Sequence, residues 1–319
     1  MEFKEQLRQY QDLVNNELKK YVNKEECPEQ ILNNSMEYSL MAGGKRLRPI
    51  LAIATYKLFK DDIETVMPYA IALEMVHNFS LIHDDLPGID NDDFRHGKPT
   101  NHKKFNEATA ILAGDGLLNK AFIVISEDLN KTYQRNISNI TQFFETNELK
   151  GIQEEPQNSQ ELENKLKVYN EFANAIDRMI AGEYIDTEFE GKKITSELLE
   201  YIHKNKTGAF LRYSVRMGAI LANAPEDVLK GLTQYAENIG LAFQIKDDIL
   251  SEEGDEKILG KPVGNDKEHE KCTYVSKYGL DGAKEILNKI TNEAIDIVKP
   301  YKNSEFLIEL ALYIKNRNK

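Results

Sequence analysis

Apolar residues recur at three- and four-residue intervals along almost the whole chain, a spacing that suits helices and little else. The pattern predicts helices over Leu7–Val22, Ile31–Met41, Val66–Ile82, Ala108–Ile125, Leu166–Ile180, Ala209–Leu221, Val228–Leu250, Ala283–Val298 and Phe306–Ile314. Breaks are expected at Cys27-Pro28, Gly43-Gly44, Pro87-Gly88, Gly97-Lys98-Pro99, Ala224-Pro225 and Lys261 to Gly264, where Gly and Pro punctuate the pattern. No run of alternating residues reads as a strand. The expected fold class is therefore all-α, a bundle of about ten core helices around a central cavity. A single domain, 1–319, accommodates the pattern, because helices from both halves are needed to bring the acidic segments together. Residues 130–164 are rich in Asn, Gln and Glu, and read as a polar surface insertion.

Two acidic segments interrupt this pattern where the core ought to be apolar. Asp84-Asp85-Leu86-Pro87-Gly88-Ile89-Asp90 follows the apolar Phe79, Leu81 and Ile82, and Asp247-Asp248 follows Phe243-Gln244-Ile245-Lys246. Either pair alone also fits a solvated face. Together they put more negative charge near one core than it can hold unaided, and acids at a helix C-terminus oppose the macrodipole. Hard divalent cations relieve both conflicts, and Mg²⁺ characteristically joins one or two carboxylates to substrate phosphates. Asp84, Asp85, Asp90, Asp247 and Asp248 are thus candidate metal ligands at a diphosphate site.

A negatively charged substrate needs local cations, since the 319-residue chain carries a net charge of -12. That balance argues against a nucleic-acid partner, which requires a basic stripe. Gly43-Gly44-Lys45-Arg46-Leu47-Arg48-Pro49 joins flexible backbone donors to three basic side chains, suited to a phosphate group, although basic residues closing a helix give the same string. Arg95, Lys98, Lys206 and Lys261 are further cations near the motifs. The two cysteines, Cys27 and Cys272, form no disulfide framework, and the N-terminus lacks a basic-then-apolar signal. With no uninterrupted apolar stretch of membrane-spanning length, a cytoplasmic protein without membrane insertion is expected.

In their order and spacing, these segments resemble the short-chain trans-prenyltransferases (the polyprenyl synthetase family), and within it the bacterial farnesyl diphosphate synthases, over nearly the whole chain. The carrying residues are Gly43 to Pro49, Ser80-Leu81-Ile82-His83-Asp84-Asp85 through Asp90, Ile111-Leu112-Ala113-Gly114-Asp115, Lys206-Thr207-Gly208, Phe243-Gln244 with Asp247-Asp248, Leu259-Gly260-Lys261, and the basic ending Tyr313 to Lys319. The resemblance implies a homodimeric synthase that condenses dimethylallyl or geranyl diphosphate head-to-tail with isopentenyl diphosphate, using Mg²⁺. It further implies substrate contacts from Lys45, Arg48, His77, Arg95, His96, Phe243, Lys261 and Arg317, and catalytic dipoles from Lys206, Thr207 and Gln244. Phe79 and Ser80 take the places that limit product length in this family. A geranylgeranyl or other short-chain polyprenyl synthase is the same chemistry with a deeper cavity, and a non-catalytic regulatory subunit would keep the same fold.

Three positions depart from the family pattern. Ser251 stands where the second acidic motif usually has a third aspartate, His96 where a second arginine touches isopentenyl diphosphate, and Glu183 where Gly-Gln-x-x-Asp has its amide.

Overall fold

A computed structural model of the chain describes residues 2–21, 26–145, 157–192, 194–253 and 273–317. Helices account for nearly all of their regular backbone, as expected. They are α1 (Phe3–Leu18), α2 (Gln30–Leu40), α3 (Leu47–Tyr56), α4 (Met67–Asp84), the short α5 (Asn101–Lys104), α6 (Glu107–Glu145), α7 (Gln157–Glu188), α8 (Ser196–Ile202), α9 (Ala209–Leu221), α10 (Glu226–Glu253), α11 (Tyr274–Val298) and α12 (Glu305–Asn316). One turn of π-helix, His203–Gly208, joins α8 to α9. A two-residue antiparallel ribbon, β1 (Phe94–Arg95) and β2 (Lys98–Pro99), is closed by His96 and Gly97 at φ 52° and 75°, the left-handed pair that a tight hairpin turn demands.

The chain divides into two compact units, Met1–Ile53 with Asp62–Asn170, and Ala54–Asp61 with Glu171–Lys319. In the first, α4 is the central element. Tyr69, Ala70, Ile71, Ala72, Leu73, Met75 and Val76 are wholly buried, so the helix is covered on every side rather than along one stripe. Each large aliphatic side chain buried this way contributes roughly 1.5–3 kcal/mol. Its main partner is α6, which presents Ala110, Ala113, Leu117 and Ala121 as a narrow buried face that lets the two helices approach closely. Pro68 starts α4, where its missing N–H costs nothing. In the second unit α10 packs against α9, α11 and α12. Tyr235 is fully buried on α10 and donates its hydroxyl to the Leu307 carbonyl of α12 at 2.9 Å. Thr273 and Ser276 form a reciprocal capping box that starts α11, and a kink at Gly279 (φ 71°) bends it soon after.

Residues 130–145 continue α6 and 157–164 open α7, while 146–156 lie outside the described residues. Much of the continued α6 is exposed, including Tyr133, Ile137 and Ile140. The two helices are nonetheless fastened by a buried cation, because Lys165 Nζ meets Asp128 at 2.7 Å, Glu161 at 3.1 Å and the Thr132 hydroxyl at 2.8 Å. Over Glu107–Thr141, α6 is also long and apolar enough to cross a membrane by length and composition. Asp115 and Lys120 interrupt that stretch, and part of it forms the buried face against α4.

Candidate active site

In the first unit, the loop between α2 and α3 is shaped by three left-handed residues, Gly43, Gly44 and Arg46 (φ 111°, 115° and 51°). Arg46 holds this shape from inside. Its buried guanidinium donates to Glu74 Oε1 at 2.7 Å, to Asn15 Oδ1 at 2.9 Å and to the Leu40 carbonyl, and so ties the loop to α4, α1 and α2. Lys45 is left on the exposed side of the loop, and Arg48 begins α3. Arg48 donates to His77 Nε2 at 3.2 Å. Burial, reinforced by Arg48, Arg46 and Arg95, holds the His77 imidazole well below its ordinary pKa, so it is neutral at pH 7 and able to accept that bond. Across the loop, a Cβ at Gly44 would lie 3.7 Å from His96 Nε2, which places the ribbon turn beside the glycines.

The first acidic segment sits at the C-terminal end of α4, as predicted. Asp84 is half-buried, Asp85 buried and Asp90 exposed. The chain curls back so that Asp90 N–H donates to the Asp84 carbonyl at 2.8 Å, which keeps both residues on one turn. Asp85 is committed to Arg95, whose Nε donates to it at 2.7 Å. Burial pushes the Asp85 carboxyl above its usual range while the Arg95 contact pulls it back. One turn earlier, Ser80 bonds the His77 carbonyl at 3.0 Å, and the buried Phe79 ring packs edge-on against His83.

The second unit supplies the other motif. Gly182 on α7 touches the π-turn backbone so closely that a Cβ there would fall 2.4 Å from the Lys206 nitrogen. One residue on, Glu183 reaches Lys206 Nζ at 3.0 Å, and Asp186 reaches it at 2.7 Å. Burial opposes the Lys206 charge, yet the two carboxylates outweigh it and raise its pKa. The carboxylate that replaces the family amide thus has a partner. Thr207 follows within the same π-turn, the kind of helix irregularity that gathers at functional sites. A cavity of about 390 Å³ opens beside this turn, with Gly208, Gln244, Tyr274 and Tyr278 on its wall. At the end of the chain, Arg317 lies 3.8 Å over the Phe243 ring, donates to the Phe243 carbonyl at 2.8 Å and pairs with Asp247 at 2.7 Å. Asp248 accepts the Tyr274 N–H at 2.7 Å and so receives the start of α11. Lys261 lies outside the described residues.

The polyprenyl synthetase family model matches residues 29–306. Farnesyl diphosphate synthase of Geobacillus stearothermophilus is 42% identical over 283 residues, which cover 88% of this chain and 86% of that protein. The chain belongs to the polyprenyl synthetase family. Geranylgeranyl diphosphate synthase of Cyanophora paradoxa is 40% identical over 289 residues, 89% of this chain and 87% of that one. The apo structure of an FPP/GFPP synthase from Zymomonas mobilis superposes with a TM-score of 0.78 at 30% identity, over 98% of each chain. The all-α architecture described above is shared with that synthase.

Among the described residues, no three His, Cys, Asp or Glu side chains converge tightly enough to hold a metal by themselves. The donor set still fits Mg²⁺, which takes hard oxygens, needs only one or two protein carboxylates and completes its shell with phosphate and water. Sequence reasoning missed Glu74 altogether, and it quoted Arg46, His83, Gly114 and Gly182 within motifs without giving them a role in the site's frame. Their roles depend on contacts from other elements; only the left-handed run at Gly43-Gly44 had a local signal.

Proposed function

We propose that the chain is a farnesyl diphosphate synthase, joining dimethylallyl or geranyl diphosphate head-to-tail to isopentenyl diphosphate. The observation that carries this reading is the pairing of a cationic loop with an acidic helix end inside one unit. The turn at His96 lies beside Gly44, and Arg95, its neighbour, holds Asp85. A reaction with two diphosphates needs both kinds of site, whereas a cyclase would need only one.

In this reading Lys45, Arg48, His77 and His96 bind isopentenyl diphosphate, with Arg317 and Phe243 as further substrate contacts. Asp84, Asp85, Asp90, Asp247 and Asp248 would hold Mg²⁺, which neutralises phosphate charge and makes the allylic diphosphate a better leaving group. Arg95, Lys206 and Lys261 meet the remaining charge as the allylic C–O bond breaks. The Lys206 carbonyl, the Thr207 hydroxyl and the Gln244 amide oxygen offer dipoles to the allylic cation without attacking it. The isopentenyl double bond then forms the new C–C bond, and the proton it sheds passes to the released diphosphate. Phe79, five residues before Asp84, is the floor that stops chain growth at fifteen carbons, with Ser80 beside it.

The whole chain, 1–319, acts as one synthase domain in the cytoplasm, with no nucleic-acid partner and no membrane insertion. It works as a homodimer, the partner copy covering the exposed apolar stripe of α6 at Leu112, Ile123, Ile137 and Ile140. Incubation of the purified protein with Mg²⁺, isopentenyl diphosphate and geranyl diphosphate, followed by chromatography of the dephosphorylated alcohols, tests the reading. Farnesol is the expected product. Geranylgeraniol as the main product would favour the longer-chain reading that the Cyanophora relative represents, and no product would point to a regulatory subunit.

A further inference from the structure

His83 stands between the acidic end of α4 and its apolar body, and nothing in the chemistry above uses it. It lies four residues after Phe79, so the two side chains share one face of the helix. Their rings meet edge to face, with centroids 4.8 Å apart at an interplanar angle of 69°. The other side of the imidazole is gripped by α6. His83 Nε2 lies 3.0 Å from the Ile111 carbonyl, and because a carbonyl can only accept, Nε2 carries the proton. Room for the ring exists only because residue 114 is glycine. A Cβ there would fall 2.3 Å from Nε2 and 2.5 Å from Cδ2 of His83, a separation no folded protein tolerates without movement. Asp115, the next residue, lies 3.9 Å away on the outer side.

A histidine that merely filled a gap would need neither a glycine slot nor a fixed bond to the opposite helix. This one is docked on α6 at one edge and presents its other side to Phe79. We propose that His83 is a positioning residue for product length: it sets the pose of the Phe79 ring by clamping it against α6 through Ile111 and Gly114. The inference rests on the reading of Phe79 as the floor of the cavity, and adds that the floor's angle is set by a neighbour that touches no substrate.

The test uses the full chain with Mg²⁺, isopentenyl diphosphate and geranyl diphosphate, and measures the ratio of twenty- to fifteen-carbon product together with the isopentenyl KM. His83→Ala removes the supporting ring and is expected to raise that ratio about 5-fold, the factor corresponding to one lost aromatic edge contact. The isopentenyl KM should stay within about 2-fold, since the cationic loop is untouched. A loss of general structural integrity would lower the rate and melting temperature without favouring the longer product. If His83→Ala does not fold, His83→Gln, which reaches the Ile111 carbonyl but carries no ring, must shift the ratio in the same direction. Phe79→Ala separates the two ideas. Should it lengthen the product while both His83 variants leave the ratio unchanged, the positioning role is overturned and the floor survives. Should Phe79→Ala also stop at fifteen carbons, the floor falls and the inference falls with it.

Discussion

Arg46 and Arg48 are two positions apart in one basic string and have opposite fates. Arg46 is buried against Glu74, where removal of either partner would strand a charge, whereas Arg48 faces His77 at the site. The string showed that a cationic loop was present; it could not show which arginine turns inward, because Glu74 is 28 residues away on a different helix. The same holds for Glu183, a departure with no rationale in the sequence that acquires one from its contact with Lys206. His96 is a departure of another kind. Burial and the nearby Arg95 and Arg46 lower its pKa, so it presents a neutral ring where a permanent cation would grip phosphate. His96→Arg should therefore lower the isopentenyl KM and leave the allylic KM nearly unchanged, as steady-state kinetics with each substrate varied in turn would reveal. For the acidic motifs, Asp84→Asn or Asp247→Asn should each reduce kcat by about 100-fold or more, equivalent to roughly 2.7 kcal/mol at the barrier. Near-normal turnover of either variant at saturating Mg²⁺ would contradict the metal assignment.

Among the elements, legibility tracked length together with uneven burial: the eighteen-residue α4, covered on every side, was still read over Val66–Ile82. α9 and α10 were recovered almost to the residue: α10 alternates buried and exposed positions, and on the mostly buried α9 Arg212 and Arg216 mark the one wetter edge. α3 was not anticipated at all: Ile50, Leu51, Ala52, Ile53, Ala54 and Tyr56 are all buried, so no alternation remains for a periodicity argument to detect. Helix over residues 130–145 and 157–164 went unread for the opposite reason. Exposed on most sides, these stretches carry little apolar signal, and their order comes from Lys165 and its acidic partners. Replacing Asn139 to Gln157 with a short Gly/Ser linker spares Asp128, Thr132, Arg135, Glu161 and Lys165, so the cooperative melt should persist. Lys165→Ala, by contrast, strips Asp128 of this cation and leaves Glu161 with Arg135 alone, and should cost about 3 kcal/mol in chemical denaturation. An unchanged denaturation midpoint would mean that water substitutes for the ammonium.

For the molecule as a whole, the fold class was readable because helical spacing persists from end to end, while the division into two units was not, since it follows from contacts far apart in the chain. Both units share a response to acid. His77 and His96 in one, and His203 in the other, are all held below the ordinary histidine pKa, with burial the leading cause in each. Once unfolded, the three take up protons near pH 6.5, before the folded protein does, so acidification favours the unfolded state. Stability is intact above about pH 6.5 and is lost as the pH falls toward the depressed folded values. Differential scanning calorimetry between pH 7.5 and 5.5 should record a falling Tm, and His77→Asn should flatten the decline; a Tm that rises on acidification would contradict the sign of these shifts. The segment Ala54–Asp61 has a consequence of a different order. It belongs with the C-terminal unit, where the Lys57 carbonyl accepts from Asn303, 246 residues later, and Phe59 packs on Tyr301. At roughly 5–20 residues per second of translation, a newly made chain must wait about 12–50 s before that partner leaves the ribosome. During that interval the early segment is exposed to whatever the nascent chain meets, and Tyr301 and Asn303, in the turn between α11 and α12, are the residues that end its wait.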